Sequence, residues 1–493
     1  MKTLLIAVNS SYVHTNPAVR SLASAGSIPF AEFNINQDSH HVLGNILSYA
    51  AEIVAFSCYI WNIGYVLRLA EDLKKACPEV TVIFGGPEAS FRAEEMLEYW
   101  FVDYVLRGEA EESLNELLEE LRQEKAVKTR GALYKESGKL KGNNEYRIID
   151  SMYLLPAPFS AGDEYDENKI YYYESSRGCP FSCAYCMSGN LKGTVREKSF
   201  DQVKRELKVF VKHGVRLVKF TDRTFNANKE RAKNIIRFIL DETENTCFHF
   251  EVALDLMDEE MVSLLRSAPM GKIQLEAGVQ STNSRTLAAI MRRMNLDRLK
   301  ENASSILDSG NIHLHLDLIA GLPYESLDSF RTSFNEVYSL YPDALQLGFL
   351  KLLPGTALRR EAGKYGIVYR SYAPYEVICT SDISARELLF LKGIELMLNR
   401  YYNTGRARQA FDFLTRNKIV APFTLYENLY IFCEQEKYAA RPLSAKNQFV
   451  VLIEYAKKYL PSSRLEEFFA LLRTDYDRTK IKGQIPEELS KFV

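Results

Sequence analysis

The sequence predicts an α/β protein in three parts: a doubly wound parallel α/β domain, a central (β/α)6 barrel or partial barrel, and a helical C-terminal domain. Three observations carry this. Short β-rich runs alternate with amphipathic helical segments up to about residue 125, a second alternating series fills about 166–370, and strand signals then stop. At 493 residues the chain is also too long for a single compact core.

In the first part the strand signals are TLLIAV (3–8), EFNI (32–35), EIVAFSCYI (52–60), TVIFGG (81–86) and VDYVLRG (102–108). Between the third and fourth, Val66, Leu69, Ala70, Leu73 and Cys77 recur at helical spacing, and Pro78 stops the helix. Such alternation implies a parallel sheet covered on both faces. Residues 126–165, with KESGKLKGNNEY and two prolines in LLPAPFSAGDEYDE, read as a hairpin and linker.

The second series comprises KIYYYESS (169–176), RLVKFTD (216–222), FHFEVAL (248–254), KIQLEAGVQ (272–280), IHLHLDLIAG (312–321) and ALQLGFLKLLPG (344–355). Most are separated by a segment long enough for a helix, which gives the barrel. From 371 to 493, segments such as ARELLFLKGIELMLNRYY (385–402) are helical and aromatic-rich. Arg400, Arg406 and Arg408 among those aromatics could stack and pair with nucleic acid, but read better as an ordinary helical core with a charged face.

Composition narrows the class. A net charge of -2 and 26% charged residues show no basic excess for nucleic acid. The opening MKTLLIAVNSSY reads as a buried first strand and not as a signal peptide, and no apolar run approaches a membrane span, so a cytoplasmic protein without membrane association is expected. Eight cysteines are too sparse for a disulfide scaffold; Cys58, Cys77, Cys247, Cys379 and Cys433 are scattered singly, as reduced thiols are.

The other three cysteines cluster in Arg177-Gly-Cys-Pro-Phe-Ser-Cys-Ala-Tyr-Cys186, a Cys-x3-Cys-x2-Cys spacing directly after the first strand of the second series. A zinc site would usually need a fourth Cys or His, and none lies within about 25 residues. A redox pair of Cys183 and Cys186 leaves Cys179 unexplained, and three unliganded core cysteines at this spacing would be an unusual accident. Such a loop can wrap a metal cluster, and three thiolates on a 4Fe-4S cube leave one iron open.

This motif, with Tyr185 before its last cysteine and its place at the end of barrel strand one, resembles the radical S-adenosylmethionine (SAM) superfamily. The resemblance implies a 4Fe-4S cluster on Cys179, Cys183 and Cys186, with SAM chelating the open iron and yielding a 5′-deoxyadenosyl radical on reduction. It also places SAM contacts at Tyr185, at Thr221 and Asp222 in the second-strand loop, at Glu276 in the fourth strand, and at Gly321 in Asp317-Leu-Ile-Ala-Gly-Leu-Pro323. Residues 350–355 would supply a sixth-strand backbone contact. Asp222 and Asn226 could equally cap the next helix, and Glu276 could be a barrel-interior ion pair.

An α/β domain ahead of such a barrel resembles the branch whose Rossmann-like first domain binds cobalamin at the C-terminal edge of its sheet. The residues that carry the resemblance are Ser57-Cys-Tyr59-Ile-Trp61, Gly85-Gly86-Pro-Glu88 and Arg107-Gly108-Glu109-Ala-Glu111, with Tyr12 in the loop after the first strand. The Asp-x-His-x-x-Gly axial-ligand motif is absent: the first loop reads Asn9-Ser-Ser-Tyr-Val-His14, and Asp38-Ser-His-His-Val-Leu-Gly44 is a near miss. Tyr59, Tyr12 or His14 would then lie near cobalt, or the domain is a scaffold without cobalamin.

The resemblance implies radical methylation of an unactivated carbon of a small molecule, peptide or RNA, with an electron donor such as flavodoxin or ferredoxin. Cobalamin-dependent rearrangement or cyclisation without methyl transfer is the enzymatic alternative, and a nonenzymatic iron-sulfur or cobalamin sensor is the other. Tyr173, Glu174, His249, Glu251, His313 and His315 lie on barrel strands, but no acid–base role can be assigned to them from strand alternation alone.

Overall fold

A computed structural model describes residues 1–188, 194–481 and 485–492, and only the backbone of Leu154. The chain divides into two compact units: residues 1–274 with 351–360 and 370–376, and residues 275–350 with 361–369 and 377–493.

The first unit opens with strands β1 (Thr3–Asn9), β2 (Phe30–Asn34), β3 (Ile53–Ser57), β4 (Thr81–Gly85) and β5 (Tyr104–Leu106). They pair in parallel in the order β2-β1-β3-β4-β5. Every residue of β1 is buried, and the two-residue period of a strand sorts them. Leu4, Ile6 and Val8 pack with Val42, Val66 and Leu73 on one face, while Leu5 and Ala7 pack with Val19, Leu114 and Leu117 on the other. This is why the run is apolar without alternation. The hairpin expected ahead of the linker, β6 (Ala132–Glu136) and β7 (Lys139–Gly142), extends this sheet antiparallel beyond β5.

The order reverses at β1, whose neighbours are β2 and β3, so the β1/β3 ends form the crevice where open α/β sheets take ligands. Asn62, fully buried, ties that crevice: its Nδ2 donates to the carbonyls of Val8 and Ser57 at 2.9 Å each, and its Oδ1 accepts from Tyr59 N at 2.7 Å.

The same unit contains β8 (Tyr171–Tyr173), a short antiparallel pair β9 (Ser176–Arg177) and β10 (Arg196–Glu197), then β11 (Leu217–Phe220) and β12 (Cys247–Glu251). β8, β11 and β12 are parallel neighbours. The expected single strand over 169–176 is thus interrupted at Glu174, where the chain turns into the cysteine loop.

The second unit holds β13 (Ile273–Gln280, its first two residues in the first unit), β14 (His313–Ala320) and β15 (Ala344–Phe349), neighbours in chain order. The two units therefore carry the six expected βα strands in sequence. Strand signals do not end at 370: β16 (Val368–Tyr369) pairs antiparallel with β17 (Val377–Cys379). Both are so short that neither shows a readable alternation.

Beyond them lie helices, among them Ala385–Met397, Arg408–Arg416, Pro422–Gln435, Ala445–Tyr459 and Ser462–Arg478. Tyr401, Phe411 and Tyr426 are fully buried, and Arg408 donates to the carbonyls of Pro342 and Tyr341. The basic and aromatic residues of the tail build a core, as the sequence favoured.

One buried acid makes this unit's stability pH-dependent. Glu325 is 1% exposed, accepts from Ser281 Oγ at 2.5 Å and Ser333 Oγ at 3.3 Å, and its other oxygen has no hydrogen-bond partner among the described residues. Burial pushes its carboxyl up to about 7 from 4.5, the two serines only partly opposing it. The folded state therefore holds a proton that the unfolded chain releases in that window, and stability falls as pH rises through it, by about 3 kcal/mol in all. Glu325→Gln is expected to remove most of that slope, which urea midpoints at pH 5 and pH 8 will measure.

Candidate functional site

The cysteine loop leaves β8 through Glu174 and Ser175, and β9 and β10 close its neck with Arg177 opposite Arg196 and Ser176 opposite Glu197. Gly178 follows at φ +103°, where a Cβ would sit 2.2 Å from the Thr194 carbonyl oxygen, so only glycine fits there. Cys183 is buried and Cys179 and Cys186 half-buried. The Cys186 amide donates to the Cys183 carbonyl at 3.1 Å, and Cys179 Sγ lies 3.5 Å from Thr224 Oγ1.

Among the described residues, no group of three or more His, Cys, Asp or Glu side chains is gathered as a single metal ion requires. A cubane spreads its thiolates wider than one ion does. Three cysteines on one glycine-turned loop suit it by donor chemistry.

Asp222 is fully buried and its carboxylate is already engaged. It accepts from Ser175 N at 2.9 Å, Ser175 Oγ at 2.5 Å and Ser176 Oγ at 2.6 Å. Burial raises its carboxyl despite these bonds. The Thr221 amide donates to the Tyr173 carbonyl at 2.8 Å. Thr221 and Asp222 thus fasten the end of β11 to the start of the cysteine loop. Asn226 is fully buried and exchanges two hydrogen bonds with the backbone of Ala253, at 2.8 and 2.9 Å. Tyr185 is half-buried, and the carbonyl of its neighbour Ala184 accepts from Leu358 N at 2.8 Å.

In the second unit, β13 and β14 each bury alternate residues, which leaves Glu276, His315 and Asp317 half-buried on the opposite faces. His315 Nδ1 lies 4.0 Å from Glu276 Oε2, and its Nε2 lies 3.5 Å from Asp317 Oδ1. Sequence alternation left His315 unassigned between inside and outside; its position between two carboxylates settles which face it takes. Gly321 has φ +86°, and a Cβ there would meet Val377 Cγ1 at 2.6 Å.

At the edge of the first sheet, Ser57 ends β3 and Tyr59 stacks on Trp61 with ring centroids 4.3 Å apart. Burial raises the Tyr59 phenol, with the Ser57 side chain opposing it. Gly85 ends β4, and its carbonyl accepts from Cys58 N at 2.8 Å. Gly86 has φ +90°, and a Cβ would lie 2.8 Å from the Cys58 carbonyl oxygen. Gly86→Ala is expected to cost about 3 kcal/mol, from the positive φ and the backbone contact, which urea midpoints will measure.

The other residues at this edge are spoken for. Glu88 is buried and takes Arg92 Nη1 at 2.8 Å and the Tyr375 hydroxyl. Gly108, at φ +85°, bridges to Arg147, and Glu109 turns onto Arg196 and Arg177. Tyr12 is exposed and donates to Asp166 at 2.6 Å, while His14 Nδ1 pairs with the Tyr172 hydroxyl at 2.7 Å. Asp38 caps the helix Ser39–Ser48 through the amides of His40 and His41, both histidines exposed. Of the three side chains weighed for the cobalt face, Tyr12 is bonded to Asp166 and His14 to Tyr172 of β8, while Tyr59 stacks on Trp61 just after β3. Asn62, Glu111, Glu174 and Arg177 also shape the site; of these the sequence reading passed over Asn62 entirely.

Family models place the superfamily described as radical SAM on residues 173–337, a B12 binding domain on 4–118, and a protein of unknown function (DUF4080) on 363–492. The chain is 26% identical over 349 residues to the cobalamin-dependent radical SAM methyltransferase TokK of Streptomyces tokunonensis, covering 64% of this chain and 49% of TokK. It is 25% identical over 303 residues to the hopanoid C-3 methylase of Methylococcus capsulatus, covering 58% and 56% of the two chains. The matched region thus spans about half of each of these relatives. In fold it is similar to the cobalamin-dependent SAM radical enzyme OxsB, with a TM-score of 0.68 at 14% identity, covering 100% of this chain and 83% of that one. The methyltransferase TsrM of Kitasatospora setae gives 0.63 at 15% identity, covering 75% and 77%.

Proposed function

Because the chain belongs to the cobalamin-binding branch of the radical SAM superfamily, we propose that it is a cobalamin-dependent radical SAM methyltransferase acting on an unactivated carbon. The observation that carries this reading is internal to the first unit. The turns at the C-terminal edge of the first sheet meet the root of the three-cysteine loop: Glu109 and Glu111 after β5 pair with Arg177, and His14 after β1 pairs with Tyr172 of β8.

A bound 4Fe-4S cluster, SAM and cobalamin together supply one-electron cleavage of SAM and a transferable methyl group. The chain's part is to hold and orient them. Cys179, Cys183 and Cys186 offer the thiolates, with Thr224 Oγ1 3.5 Å from Cys179 Sγ and Tyr185 next to Cys186 in the chain, and Thr221 and Asp222 keep the loop's root in place. Ser57, Tyr59, Gly85 and Gly86 form the cobalamin-side edge, where glycine lets backbone approach a flat ligand.

The substrate is a small molecule, peptide or RNA carrying an unactivated carbon, and the electron comes from a flavodoxin or ferredoxin in the cytoplasm. Among the described residues no helix is long and apolar enough to cross a membrane. The test is SAM labelled in its methyl group, given to the reconstituted protein with fractionated cell extract under reduction. A product with the label on carbon is expected; turnover of SAM with unlabelled product would replace methylation by rearrangement or cyclisation.

A further inference from the structure

The neck of the cysteine loop carries an electrostatic conflict. β9 and β10 set Arg177 directly opposite Arg196, and like charges at paired positions of an antiparallel ladder repel. Both side chains are only 14% exposed, so solvent does little to screen them.

The remedy comes from the turn after β5. Glu109 accepts from Arg196 at 2.8 and 2.5 Å, lies 3.5 Å from Arg177, and takes the Ile149 amide at 2.7 Å. Arg177 also pairs with Glu111, 6% exposed, and with Glu174 at 2.8 Å. Burial works against the Glu109 charge, but Arg196 and Arg177 together hold its carboxyl below the usual range. Gly108, whose φ of +85° sits against the Arg147 carbonyl, aims Glu109 inward.

We propose that Glu109, assisted by Glu111, is a positioning residue for the cysteine loop: by cancelling the Arg177–Arg196 repulsion it holds the β9–β10 neck closed, and so couples the turn after β5 to the place where the three cysteines act. This rests on the reading of those cysteines as cluster ligands. It assigns Glu109 to the loop, where the family resemblance had set it against cobalamin.

The test uses the full chain in two states. In metal-free protein, hydrogen exchange is followed at Ser176, Arg177, Arg196 and Glu197. Glu109→Gln is expected to speed it about tenfold, as loss of one partner of a buried ion cluster opens the neck locally. Adding Arg196→Met to Glu109→Gln removes the repulsion itself and is expected to restore slow exchange. After anaerobic reconstitution with iron and sulfide, iron retained through gel filtration should fall severalfold in the single variant and recover in the double one.

Parental exchange in Glu109→Gln, or a double variant no slower than the single, overturns the proposal. If the single variant does not fold, the double variant is expected to; failure of both also overturns it. A parental protein that holds no iron would sink the cluster reading instead, and the exchange data on metal-free protein would still decide the neck.

Discussion

Replacing any one of Cys179, Cys183 and Cys186 by alanine is expected to lower 5′-deoxyadenosine formation by about a thousandfold or more, to the background of unbound cluster chemistry. Each thiol is one of only three on the loop, and no other cysteine stands in for it: the remaining five lie elsewhere in the chain. Cys77→Ala, at an exposed helix end, is the control and should leave SAM cleavage at the parental rate. Cys58→Ala is a harsher control, because that thiol is buried behind the first sheet's edge, where burial raises it and Glu88 raises it further. Iron content after gel filtration separates loss of cluster from loss of chemistry. A variant lacking one of the three thiols that still cleaves SAM at half the parental rate would refute the assignment.

Asp222→Ala is expected to cost about 4 kcal/mol in stability, because it strands the Ser175 amide and two serine hydroxyls in a fully buried site. The damage should not stop at stability. Ser175 directly precedes the neck of the cysteine loop and Ser176 is its first residue, so retained iron should fall as well. Asp222→Asn keeps one acceptor and is expected to lie between parent and alanine in both urea midpoint and iron content. If Asp222 instead met SAM directly and supported nothing, SAM affinity would fall with the urea midpoint unchanged. The bonding in the structure argues for the first outcome.

Much of the architecture was legible because its determinants are local. The apolar run of β1, the helical spacing from Val66 to Leu73 and the Cys-x3-Cys-x2-Cys loop announce themselves within a few residues. What was not legible depends on pairing at long range. The hairpin at 132–142 joins the first sheet only through its register with β5, which no local pattern encodes. β16 and β17 are too short to alternate.

At the site, spacing located the cysteines but could not tell a ligand from a support. Asp222 and Glu109 both stand where the family places cofactor contacts, yet each spends its oxygens on the chain. Asn62 carries no motif at all; only the reversal of strand order between β1 and β3 explains why an amide is buried there. The pairing of His14 with the Tyr172 hydroxyl, across more than 150 residues of chain, was likewise beyond any local pattern.

The central claim is that one chain holds both a SAM-cleaving cluster and cobalamin. The direct measurement is anaerobic reconstitution with iron, sulfide and hydroxocobalamin, then gel filtration, with 5′-deoxyadenosine assayed under reduction and cobalamin read from its absorbance in the protein peak. The account predicts SAM cleavage together with cobalamin retained in near-stoichiometric amount. Cleavage without retained cobalamin would contradict it, leaving the first domain a scaffold and methylation without its main support.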